Sequence, residues 1–160
     1  GEHLQAKSLD ILARAFGDRA AFVSPAQRRG VAPDGTRAVL CGAPIVYVHA
    51  KVSVVDAHTA LVSSANLNGR SHHWDTEAGV ALRDPAQVAL LRDRLMAHWL
   101  PDDAGPDFYD PAHAPIAWRR LAEDNREKPP HARQGFLLPY PRGGPRRFGR
   151  PVPFRPKNLM

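Results

Sequence analysis

Disulfide chemistry is the first thing this 160-residue sequence rules out, because Cys41 is its one cysteine. No intrachain bridge can form, which suits a reducing compartment. The chain has no basic-then-apolar leader, and no apolar run reaches the roughly 20 residues that a membrane helix needs. No segment repeats another, so whatever the chain carries it carries once. Acidic residues are missing altogether after Glu127. The last 33 residues hold eight cations, from Lys128 to Lys157, against a net charge of +6 for the whole chain. Residues 1–127 are therefore net −2, and the basic character belongs to the end. The sequence opens on Gly1 within a helical pattern, which suggests a piece of a longer protein. The expected localisation is cytoplasmic or peripheral at the membrane, with any leader or anchor upstream.

Residues 2–16 are predicted to form a helix, since Leu4, Ile11, Leu12, Ala15 and Phe16 recur at helical spacing and Gly17 is a natural C-cap. Prolines and glycines make residues 24–44 largely loop. Three β-runs follow at Ile45–Asp56, Ala60–Asn66 and Glu77–Leu82. Asp84 caps a helix that starts at Pro85, carries the stripe Val88, Leu91, Leu95 and Trp99, and stops at Pro101. A shorter helix is predicted at about 116–127. Eight prolines and four glycines argue against regular structure after residue 127. The reading is thus a domain over 1–127 and a Pro/Arg-rich basic tail over 128–160, pinned by Phe136, Leu137, Leu138 and Tyr140.

The chemistry is concentrated in Tyr47-Val48-His49-Ala50-Lys51-Val52-Ser53-Val54-Val55-Asp56. Alternation along an extended strand puts His49 and Lys51 on one face, about 7 Å apart, where an imidazole and an ammonium can grip one phosphate. Ser64 and Asn66 share a face of the next run and can donate to the same oxygens. Glu77 could take the second ring N–H of His49 and fix its tautomer. A phosphodiester needs these parts: cations and neutral donors to neutralise the developing charge, a nucleophile, and an acid on the opposite side for the leaving group. One histidine cannot be both in-line nucleophile and opposite-face acid in a single step.

His49-x-Lys51-x4-Asp56, followed by Ser64-x-Asn66 and Glu77, resembles the HKD motif of the phospholipase D superfamily. Val46–Leu82, with Asn68, Arg70, Ser71, Asp75 and Thr76, is similar to the second motif of bacterial phospholipase D and cardiolipin synthase proteins. The likeness is dense over residues 45–100, and Trp118–Asn125 also fits the family's C-terminal region. It implies a phospholipase D-like α/β sandwich, a mixed sheet flanked by helices forming one half of a pseudo-twofold pair. Lys51, Ser64 and Asn66 would bind phosphate, Glu77 would orient His49, and Asp56 would link strand to loop. His49 would be the nucleophile or the acid, completed by a second HKD half-site from a missing N-terminal half or a homodimer partner. No cofactor and no metal are implied. Ser63 stands where the motif usually has glycine.

Blander readings exist for each part. His49 could be a strand histidine satisfied by a carbonyl, and Arg70 a solvated loop charge rather than a phosphate contact. His72 and His73 with Asp75 read as loop residues more readily than as a metal site. The basic tail could be a solubilising end, a strip drawn to an anionic membrane surface, or a nucleic-acid contact. The leading expectation is phosphodiester cleavage or phosphatidyl transfer on phospholipids through a phosphohistidine. The alternatives are a homodimeric, metal-independent nuclease and a non-catalytic remnant that binds phosphate or a partner.

Overall fold

A computed structural model describes residues 2–141 of the chain; the cations from Arg142 onward lie outside the described residues. In chain order the elements are helix α1 (Glu2–Phe16), strands β1 (Val23–Pro25), β2 (Val39–Leu40), β3 (Ala43–Pro44), β4 (Lys51–Val55) and β5 (Thr59–Ser63), helix α2 (Gly69–His73), strand β6 (Gly79–Leu82), helices α3 (Pro85–Trp99) and α4 (Ala114–Arg126), and strand β7 (Leu137–Pro139). The chain is α/β, as the resemblance implies. Its described strands pair only antiparallel, in three small sheets. Two compact units emerge: residues 2–47 with 96–141, and residues 48–95.

In the first unit, Leu100, Leu121, Ala122 and Leu137 form a core against which Met96, Trp99 and Trp118 pack. Helix α4 is anchored beneath it by Asn125, which is fully buried. The Asn125 amide nitrogen donates to the carbonyls of Gln134 (2.7 Å) and Leu137 (3.0 Å), and its oxygen accepts from the Gln134 N–H (2.9 Å). Residues 128–141 thereby join this unit. Strand β7 pairs with β1, and Leu137 and Leu138 are buried. Buried Arg133 donates from Nε to the carbonyls of Asn125 (3.0 Å) and Lys128 (3.3 Å), capping the end of α4, and from Nη2 to that of Cys41. Cys41 and Gly42 form the β2–β3 turn with φ of 49° and 72°. Helix α1 matches its predicted bounds, yet Ile11 and Phe16 stay about half exposed.

The second unit is an antiparallel meander, β4-β5-β6, with α2 inserted before β6. All three strands are shorter than their apolar runs. The first begins only at Lys51; Ile45 makes an isolated bridge to Ala26, and no strand runs through the residues between. The second ends at Ser63, because the Asn66 N–H turns to the Ser71 hydroxyl (3.1 Å) instead of a ladder carbonyl. Asp56 and Ala57, at φ 51° and 56°, make the β4–β5 turn, closed by His58 N–H to Val55 C=O (3.2 Å). Positive φ at both central residues suits the right-handed twist of a hairpin.

Lys51, Ser63 and Gly79 are register partners across the three strands. A Cβ at position 79 would lie 2.7 Å from the Ser63 Cβ and 3.0 Å from the Val62 carbonyl oxygen, so only glycine fits. Gly79→Ala should therefore destabilise the protein by about 1–3 kcal/mol through overpacking. Ser63→Gly in the same chain should recover a good part of that loss, read by denaturant unfolding. Asn125→Ala should cost about 3 kcal/mol, since it orphans buried carbonyls and an N–H; thermal melts check it.

Candidate functional site

All the site geometry described here lies within residues 48–95. His49 sits just ahead of β4 and is exposed; Lys51 opens the strand and is half-buried. The Lys51 ammonium nitrogen lies 3.0 Å from Nε2 of His49. An ammonium only donates, so Nε2 accepts, and the neutral ring then carries its proton on Nδ1. The two groups expected to stand side by side do so, although His49 precedes the ladder.

Ser64 extends the β5–β6 pairing by one rung. Its N–H donates to the Ala78 carbonyl (2.9 Å), and its hydroxyl oxygen accepts from the Ala78 N–H (3.0 Å). The hydroxyl proton goes to Oε2 of Glu77 in a short contact. A serine has one proton to give, so in this arrangement Glu77 holds it. Glu77 is half-buried two residues before β6. Its carboxyl is held below the ordinary value of 4.5 by the Ser64 hydroxyl first, then by the Ser71 hydroxyl, with the charges of Lys51 and His72 adding to the effect.

Asn66 is exposed in the segment leading to α2, which starts at the Asn68 cap; the Asn68 side chain accepts from the Ser71 N–H (3.0 Å). Asp56 is not part of this group. It lies in the turn at the far end of β4, about 16 Å from Lys51 at strand rise. Arg70 pairs with Asp75 at 3.0 Å, both well exposed, a contact of small energetic weight. His72 and His73 belong to α2 and are exposed, and no group of three potential metal ligands converges among the described residues. Ser71 was read from sequence only as part of a motif run. The structure makes it the buried member of the site at 8% exposure. Its helix is five residues long, too short to show a periodic signal.

The assembly offers the His49 ring beside the Lys51 cation, and the solvent-exposed side chains of Ser64 and Asn66 as hydroxyl and amide donors. Such a set suits a tetrahedral anion better than a neutral substrate. A family model described as "Cardiolipin synthase, PLD-like domain" matches residues 19–99, just over half of the chain, and spans His49 through Glu77. No curated protein and no solved structure matches the chain. No helix among the described residues is long and apolar enough to cross a membrane.

The depressed Glu77 value has a definite pH consequence. A carboxyl whose folded value lies below its unfolded one contributes its stabilisation fully above about 4.5, and loses it as pH falls through the lowered folded value. Ser64→Ala should move the Glu77 midpoint upward toward the ordinary value, measured by carbon-detected NMR titration of the side-chain carboxyl.

Proposed function

The chain belongs to the phospholipase D-like family of the cardiolipin synthase type, whose chemistry is that of phosphodiesters, and on that premise we propose that it supplies one half of a phosphodiester-cleaving or phosphatidyl-transferring site acting on phospholipids. The observation that carries this reading is the 3.0 Å contact between Lys51 Nζ and His49 Nε2. It sets a nucleophilic or proton-carrying nitrogen beside the cation that would neutralise the phosphate it meets.

The reaction follows from those groups. Lys51 leaves Nε2 for a non-bridging phosphate oxygen, and Asn66 and Ser64 donate to the same oxygens. One histidine attacks phosphorus and the P–O bond to the leaving group breaks. A second histidine, in line on the opposite side, gives its proton to the departing oxygen. Water or an alcohol then attacks the phosphohistidine, losing its proton to that second histidine, which restores both rings. This chain holds one such motif, so the opposite histidine comes from an N-terminal partner half or from a second copy. Asp56, in its left-handed turn, serves the hairpin rather than the substrate. A homodimeric nuclease would use the same groups. The net charge of −2 over residues 1–127 favours lipid over nucleic acid, whose binding draws on clustered cations.

The test uses the complete reading frame containing this chain, or its dimer, with vesicles containing phosphatidylglycerol labelled at phosphorus. Turnover should persist in EDTA. His49→Ala should lower it at least 10³-fold and Lys51→Ala about 10²–10³-fold. Acid-labile, base-stable label on this chain would assign His49 as nucleophile, and label on the opposite half would assign it as the acid. Undiminished turnover in His49→Ala would overturn the reading, and cleavage of DNA but not lipid would replace the substrate.

A further inference from the structure

We propose that Leu67 and Trp74 anchor this half-site on a phospholipid surface, with the short helix between them meeting the headgroups. The inference rests on the phospholipid reading above and deepens it, because it names the surface on which the substrate is met and two residues that touch none of the reacting atoms.

Both side chains are held out in water by an ordered backbone. Leu67 is 92% exposed and Trp74 64%. The Asn68 N–H donates to the Asn66 carbonyl (2.8 Å), closing a three-residue turn with Leu67 at its tip. The Asn68 side chain then accepts the Ser71 N–H (3.0 Å), and the Ser71 hydroxyl takes the Asn66 N–H (3.1 Å). Trp74 closes the other end of α2: its N–H and that of Asp75 both donate to the Arg70 carbonyl, at 2.8 and 2.9 Å. A leucine and a tryptophan fixed in water carry a cost that an apolar phase relieves. The five residues of α2 span about 8 Å at helical rise, so one surface can take both. Lipid suits them better than protein does. The pair exposes roughly 300 Å² of apolar area, short of the ~800 Å² that each partner gives to a stable protein interface. A bilayer needs no matched area, and tryptophan settles at its headgroup level with the ring N–H in a polar layer. Residues 66–74 carry Arg70, His72 and His73, all exposed, and no acid. The pair that Arg70 makes with Asp75 is exposed on both sides and contributes little, so a lipid phosphate can take the place of the carboxylate. Asn66, which the proposed reaction sets on a phosphate oxygen, adjoins Leu67 in the chain.

The 160-residue chain should float with vesicles of phosphatidylglycerol and phosphatidylcholine in about 0.5 M salt, which screens the attraction of the cations that follow residue 127. Leu67→Ser combined with Trp74→Ser should lower that partitioning at least tenfold, whereas Leu67→Met combined with Trp74→Phe, which keeps both side chains apolar, should retain most of it. In the complete protein, the serine pair should lose at least tenfold in turnover on the same vesicles. It should keep wild-type turnover on dihexanoyl phosphatidylglycerol dissolved as monomers, which present no surface. A wild-type chain that stays off the vesicles, unchanged partitioning in the serine pair, or an equal loss on vesicles and monomers would overturn the anchor. So would a serine pair that partitions normally but no longer self-associates in sedimentation, since the two residues would then belong to a contact between copies. A chain that partitions through these residues, within a complete protein that cleaves no phospholipid, would overturn the function and leave the anchor standing.

Discussion

The Ser64 hydroxyl gives its proton to the carboxylate of Glu77, and much of the local arrangement of residues 48–95 follows from that contact. The Ser64 contact ties the end of β5 to the residues before β6, while the Ser71 hydroxyl holds the Asn66 N–H and so fastens α2 to the segment that leads into it. The segment carrying Asn66 is closed into a loop between them. A carboxylate at this place does what a metal or a disulfide does elsewhere: it fixes the ends of a short loop that has little apolar surface of its own. The meander itself is slight. Only Ala60 among the residues of its three strands is buried, and Val80 is 63% exposed. Polar satisfaction at one end of the sheet therefore carries more of the local order than side-chain burial does.

The other unit is ordered by different means. There a buried amide, Asn125, and a buried guanidinium, Arg133, hold backbone carbonyls that helix α4 and the loops beside it would otherwise leave unpaired. Burial lowers the tendency of Arg133 to stay charged, and its partners are carbonyl dipoles, which offset that cost only in part. Both residues serve the chain segment after residue 128, which is rich in proline and would not order by propensity. It is anchored where its leucines meet the core and where its backbone meets β1.

Helices α1, α3 and α4 were legible because their signals are local and redundant. The Asp84 cap, Pro85 at the first turn and Pro101 past the end bound α3 on both sides, and the Asp84 side chain does accept the Gln87 N–H at 2.9 Å. Strands β1, β2, β3 and β7 were not legible. Each is two or three residues long, and Pro25, Pro44 and Pro139 sit inside three of them, so neither alternation nor propensity can mark them. At the site, the closeness of His49 and Lys51 was readable from their spacing of two, although His49 lies just ahead of β4; the shared strand face expected of Ser64 and Asn66 was not found, because β5 ends at Ser63 and the Asn66 N–H turns to Ser71. The partnership of Ser64 with Glu77 was not legible, since it depends on the register between two strands, which spacing along either one does not give; the rung that joins them, Ser64 with Ala78, lies just past the ends of β5 and β6. The burial of Ser71 was hidden for a related reason: a polar residue in a helix of five has no pattern to betray it.

Cys41 stands apart from all of this chemistry and gains a practical meaning from where it sits. It is exposed, it is the one sulfhydryl in the sequence, and its carbonyl is held by a guanidinium that is itself buried. A maleimide-linked spin label would thus attach at a single known point on an anchored hairpin. Dipolar spectroscopy from that point could measure how far apart two copies stand in solution without altering any group near His49.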